Sequence, residues 1–149
     1  MVNAKDILIP LKFFLIMAQF ILTIVVDYTK LNNINSQIDY YSASQVLNQL
    51  SLTQQMNHLI LALYILQCIE LLLMFISYTM FMHKLTSLSI IFHGIANLCL
   101  CWFIWQFWIM DKFWIILTIG GIIPVAIEII TYLYIMKFRK INLDYKYFY

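Results

Sequence analysis

Apolar residues come in four long runs along this chain, over residues 7–26, 58–82, 85–109 and 113–136. Each run is close to the roughly 20 residues that a helix needs to cross hydrocarbon. Lys12, near the start of the first run, has a stem long enough to snorkel its ammonium to the headgroups, so it does not count against that span. The links between the last three runs are very short, His83-Lys84 and then Met110-Asp111-Lys112. Such links predict antiparallel neighbours, with the second, third and fourth helices in an up-down-up series. Residues 27–57 form the one long connection, rich in Asn, Gln, Ser and Tyr and without Gly or Pro. Its stretch 44–55, with Val46, Leu47, Leu50 and Leu52 among polar residues, fits a short interfacial helix. The pattern predicts one all-α membrane domain over 1–149, with an outer loop at 27–57 and a tail at 137–149.

Composition agrees with that pattern. The chain is 64% hydrophobic and 11% charged, where a soluble domain has roughly 25% charged residues. One soluble core of this size could not hide so much apolar surface. A net charge of +2, with no basic cluster interleaved with aromatics, gives no support to nucleic-acid binding. Cys68, Cys99 and Cys101 lie within apolar runs and form no CxxC, which fits small packing residues better than thiol chemistry. The first run follows Lys5 as the apolar part of a signal peptide would. It is as long as a full span, however, and no small-residue cleavage site follows, so it reads as the first transmembrane helix.

Orientation follows from Lys and Arg. One side, with both termini and the His83-Lys84 turn, holds Lys5, Lys12, Lys84, Lys137, Arg139, Lys140 and Lys146; the other holds only Lys30 and Lys112. The bias predicts cytosolic termini. Trp102, Trp105, Trp108 and Trp114 gather at the opposite end of the third and fourth spans, as anchors of the outer interface.

Several polar residues fall inside the spans: Gln19, Glu70, His93, Asn97 and Glu128. An acid at mid-bilayer costs about 2.5–3.5 kcal/mol on insertion scales, so it should face the bundle and find a partner. Counted from the apparent cytosolic ends, His93 and Glu128 lie about 13 Å deep, and Glu70 and Asn97 about 19 Å deep. His93 and Asn97 share one face of the third helix by their i, i+4 spacing. Depth thus predicts a polar seam with two rungs, Glu128 with His93 and Glu70 with Asn97. The seam reads as interhelical glue or a partner-docking determinant, with a proton or cation pathway as the alternative. One His and two acids, without HxxH or HxxxH, make a poor metal site. In the fourth span, Gly120-Gly121 allows close backbone approach and Pro124 removes a hydrogen bond to the Gly120 carbonyl, predicting a helix break. No nucleophile with an adjacent base and no Gly-rich phosphate loop is present, so neither catalysis nor a cofactor is expected.

Glu70, Met80-Phe81, Ser89-Ile90, His93, Phe103-Ile104, Trp108, Trp114, Pro124 and Glu128 together resemble the pattern of the transmembrane protein 107 family. The Pro-x-x-x-Glu of the fourth span and the His-bearing third span are its most specific marks. The resemblance runs from about residue 62 to 136, and more weakly over Ile9-Pro10 and Lys12-Phe13-Phe14. It implies a four-helix, non-enzymatic protein of the ciliary transition zone, within the Meckel syndrome module. There it would support cilium assembly and restrict which membrane proteins enter. Its implied partners, besides membrane lipids, are tectonic and B9-domain proteins in a hetero-oligomeric complex. Two other readings compete. One is an accessory subunit of another assembly, such as an energy-converting complex of the mitochondrial inner membrane. The other is a small proton-coupled transporter using Glu70 and Glu128.

Overall fold

Hydrocarbon holds no water to bond a bare N–H or C=O, so a chain crossing it must satisfy its backbone within helices or a closed barrel, and apolar runs of about 20 residues suit helices. The structure is a computed structural model that describes residues 4–35, 44–76, 83–106 and 111–146, with side chains described over 7–35, 49–75, 85–106 and 111–137. All described residues are helical. They form α1 (Ala4–Asn35), α2 (Ser44–Ile76), α3 (His83–Gln106), α4 (Asp111–Leu117) and α5 (Ile123–Lys146), with a π-helical turn over Thr118–Ile122. The α4 helix, the turn and α5 are continuous and make a fourth rod. Among the described residues, four segments are long and apolar enough to cross a membrane: Ile7–Asn35, Gln49–Phe75, Leu85–Gln106 and Asp111–Lys137. The chain is an all-α membrane protein with four spans.

The helices outrun the apolar runs that seed them. α1 continues to Asn35 and α2 starts at Ser44, so most of the expected 27–57 loop is helix. The helix expected over 44–55 forms the first turns of α2 and is not a separate interfacial piece. His83-Lys84 and Asp111-Lys112 are first turns of helices and not links, and α5 takes in most of the expected tail. Residues 77–82 and 107–110, assigned to the second and third spans and their ends and including Trp108, lie outside the described residues. The physical reason is cooperativity. Nucleation is the unfavourable step, and each residue added to a formed helix gains a hydrogen bond. The extensions contain no Gly or Pro to stop that growth. Hydropathy therefore marks the lipid-covered part of a helix, not its ends.

Packing also departs from the expected series. α1 packs most extensively on α3 and next on α2, while the fourth rod packs on α2 and α3. Backbone contact between α2 and α3, and between α1 and the fourth rod, is slight. The rods thus occupy a square in the order α1, α2, fourth rod, α3. The α2–α3 pair, expected as neighbours, spans a diagonal. Residues 77–82, at up to about 3.3 Å each, are long enough to allow this. What decides it is the meshing of α1 with α3. Lys12, Ile16, Gln19, Thr23 and Val26 on α1, and Thr86, Ser89, His93, Ala96, Leu100 and Phe103 on α3, are all buried at alternating spacings of three and four.

Away from the termini the bundle is filled by Val26, Ile34, Met56, Leu59, Leu63, Leu100, Phe103, Phe113 and Ile116. Phe103 and Phe113 meet edge to face, with ring centroids 5.4 Å apart. The outer surface is apolar as well: Phe14, Leu72, Phe75, Leu98 and Ile130 are all at least 60% exposed. Polar groups are inside and apolar groups outside, the arrangement that lipid selects.

Candidate functional site: a polar cluster on the bundle axis

Each of the four rods sends polar side chains to the axis in the half nearer the termini. On α1, Lys12, Gln19 and Thr23 share a face through i, i+7 and i+11 spacing. On α2, Gln67 and Glu70 stand one turn apart, as do Ser89 and His93 on α3; α5 adds Glu128. Gln19, Gln67, Glu70 and His93 are wholly buried, with Lys12 and Glu128 nearly so.

Lys12 Nζ forms an ion pair with Glu128 Oε1 and lies 3.7 Å from Glu70 Oε1. Glu70 Oε1 also accepts a 3.3 Å hydrogen bond from Ser89 Oγ and lies 2.7 Å from His93 Nε2. On the other side of the imidazole, Nδ1 lies 2.6 Å from Gln19 Oε1. One turn further on, Gln67 Nε2 donates to Thr23 Oγ1 at 3.2 Å, and Thr23 Oγ1 donates to the Gln19 carbonyl at 2.8 Å. Asn97 Nδ2 donates to the Leu15 carbonyl at 3.1 Å. Among the described residues, Gln67 Oε1, Glu70 Oε2, Asn97 Oδ1 and Glu128 Oε2 accept no hydrogen bond.

The break in the fourth rod is part of this cluster. Pro124 has no N–H to give the Gly120 carbonyl. The helix widens just before it: the Ile123 N–H bonds to the Thr118 carbonyl, five residues back, in the π-turn. Gln19 Nε2 from α1 donates to the Gly120 carbonyl at 2.9 Å. A Cβ on Gly120 would come within 2.5 Å of Ala96 Cβ and 2.6 Å of Gln19 Nε2, and one on Gly121 within 2.9 Å of Leu66 Cδ1. The two glycines let one turn touch α1 and α3 on one side and α2 on the other.

Of the residues singled out in the sequence, Glu70, His93 and Glu128 lie in one cluster, and Asn97 beside it on the α1 backbone. Neither expected rung forms: Glu70 meets His93, Glu128 meets Lys12, and Asn97 meets the Leu15 carbonyl. Two causes account for this. The helix ends differ from the apparent ones, with α5 running past Lys137 to Lys146 and the described part of α2 ending at Ile76, short of His83, and rotation about each helix axis is invisible to depth. Lys12 does not snorkel; two buried acids hold its ammonium inside, where a lone cation would be strongly disfavoured. His93 and Asn97 both turn toward α1, as their spacing requires. Trp102, Trp105 and Trp114 lie exposed at the far end of α3 and on α4. Cys68 and Cys101 are exposed on the outer surface and Cys99 is half-buried; all three are free thiols. Sequence reasoning missed Thr23 and Gln67, took Lys12 for a snorkelling residue, gave Ser89 no place in the seam and undervalued Gln19. The signal was present: Lys12, Gln19 and Thr23 at helical spacing mark the inward face of an otherwise apolar helix.

Chemically, the arrangement ties helices together. Its hydrogen bonds and ion pairs join α1 to α3, α1 to the fourth rod, α2 to α3 and α1 to α2. Among the described residues, no group of three or more His, Cys, Asp and Glu side chains stands close enough to hold a metal ion. A family model, TMEM107, described as transmembrane protein, matches residues 8–132, which takes in every member of the cluster. Neither a curated protein nor a solved structure matches the chain.

Proposed function

Because the chain belongs to the TMEM107 family of transmembrane proteins, we propose that it is a non-catalytic membrane component of the ciliary transition zone. In this role it supports cilium assembly and gates ciliary membrane-protein content through helix–helix contacts. The observation that carries the reading is the family match over residues 8–132. The polar cluster supports it too, since its ionic groups pair with one another across helices, as interhelical contacts do. By resemblance, the partners are tectonic and B9-domain proteins. The test is to tag the chain and image ciliated cells. The expected result is a focus at the ciliary base, recovery of those partners with it, and fewer or leakier cilia after its loss. Mitochondrial staining with recovery of inner-membrane subunits would replace this reading with the accessory-subunit one. Even-numbered spans put both termini on one side, and the distribution of Lys and Arg supports the cytosol. Labelling of an engineered cysteine at residue 40 from outside intact cells tests this; labelling of the termini from outside would reverse the topology.

A further inference from the structure

We infer that Glu70 and His93 form a binding site for one proton beyond the one a neutral imidazole carries, and that Gln19 fixes where it lies. The Gly120 carbonyl only accepts, so Gln19 must turn its amide nitrogen toward it across 2.9 Å. The opposite amide orientation would set two acceptors face to face. Gln19 Oε1 therefore faces His93 Nδ1 at 2.6 Å. An amide oxygen cannot donate, so Nδ1 carries a hydrogen. The other ring nitrogen, Nε2, then faces Glu70 Oε1 at 2.7 Å. A bare Nε2 lone pair against a carboxylate oxygen at that distance is repulsive. A second proton lies between them, on the carboxyl or on the ring.

Charge leads to the same result. Among the described residues, the ionisable groups facing the axis are Lys12 from α1, Glu70 from α2, His93 from α3 and Glu128 from α5. Lys12 and Glu128 neutralise each other. Glu70 and His93 are neutral as a pair only with two protons between them; with one, the buried axis keeps an uncompensated negative charge. The site joins α2 to α3, the diagonal pair with slight backbone contact. Its proton is thus a structural ligand of the bundle, oriented through Pro124, Gly120 and Gln19.

Two experiments on the full chain in lipid nanodiscs test this. The first is nitrogen NMR of the wild type labelled with 15N-histidine, with His93 assigned by His93→Gln. The expected spectrum has a hydrogen on Nδ1 and a second proton at or shared with Nε2. A neutral ring with its only hydrogen on Nε2 would overturn the proposal. The second compares unfolding of Glu70→Gln, whose amide can donate to Nε2 in place of the shared proton, with that of Glu70→Leu, which cannot donate. Glu70→Gln should stay much nearer the wild type than Glu70→Leu; equal losses in the two would also overturn the proposal. If neither variant folds, the wild-type spectrum decides alone.

Discussion

The two halves of the bundle are held by different forces. In the half near the termini, Lys12, Gln19, Glu70, His93 and Glu128 meet through directional contacts. In the far half, Val26, Leu63, Leu100, Phe103 and Phe113 meet mainly through shape, with one buried hydrogen bond beside them, from Asn33 Nδ2 to the Phe103 carbonyl at 3.2 Å. In water the far half would be the main source of stability. In lipid it is not, because tails are as apolar as leucine and helices gain only packing from association. Many rotations of four apolar rods pack acceptably, but few of them pair a lysine, two glutamates, a histidine and a free carbonyl at once. The polar half accordingly selects which helices are neighbours, and the far half conforms.

The largest expected effect tests that ranking directly. Lys12→Met leaves Glu128 buried without its cation, and removing one partner of a buried pair costs about 3–5 kcal/mol. Glu128→Leu should cost less, since Lys12 already has Glu70 within 3.7 Å. The double variant should be milder than Lys12→Met alone, because no unpaired charge is added. Unfolding in mixed micelles measures all three. Additive losses would show that the pair does not act as a unit.

Next in size is a truncation in the far half. Phe113 is wholly buried, and Phe→Ala in a water-soluble core costs about 3–5 kcal/mol. Here only the packing part of that figure applies, so about 2–3 kcal/mol is expected. A loss in Phe113→Ala exceeding that of Lys12→Met would invert the comparison between the halves.

What the sequence disclosed follows the same division. The four spans were legible because apolar length is a linear property, read without knowing the fold. The interior acids were legible because lipid excludes them. The partners were not, since a helix that is apolar all round hides which face turns inward. Only the polar residues report that face. Lys12 was misread because a lysine near a helix end has two good solutions, snorkelling or pairing, and the acids that decide between them are 58 and 116 residues away in the chain. Pro124 and the glycines did announce a break, but the residue that answers it, Gln19, lies on another helix. Helix ends were misplaced wherever polar residues continued a helix that apolar ones had started, as over 27–35 and 44–57.

Glycine substitutions probe the close approach between the halves. In Gly120→Ala the new Cβ meets Ala96 Cβ at 2.5 Å and displaces the Gln19 amide. Since Ala96 Cβ is fixed to the α3 backbone, helices must move, at about 1–3 kcal/mol. Gly121→Ala meets Leu66 Cδ1 at 2.9 Å, the end of a flexible side chain that can turn away, so its loss should be smaller. Equal losses in thermal unfolding would mean that both sites yield by the same helix movement.

The smallest effect is expected at Gly94, one residue from His93 yet with nothing within 4 Å of an added Cβ. Alanine there meets no neighbour and regains about 0.8–1 kcal/mol of helix propensity in the scales measured in water. Gly94→Ala in the isolated protein should therefore be neutral or slightly stabilising in thermal unfolding. A loss of more than about 1 kcal/mol would mean that α3 lies closer to a neighbour than the described packing. The same variant in cells asks a separate question. Neutral stability combined with lost recovery of partner proteins would place a partner helix against this point of α3, where glycine permits an approach that alanine blocks. Neutral behaviour in both assays would leave this face of α3 to lipid and send the search for the partner surface to another rod.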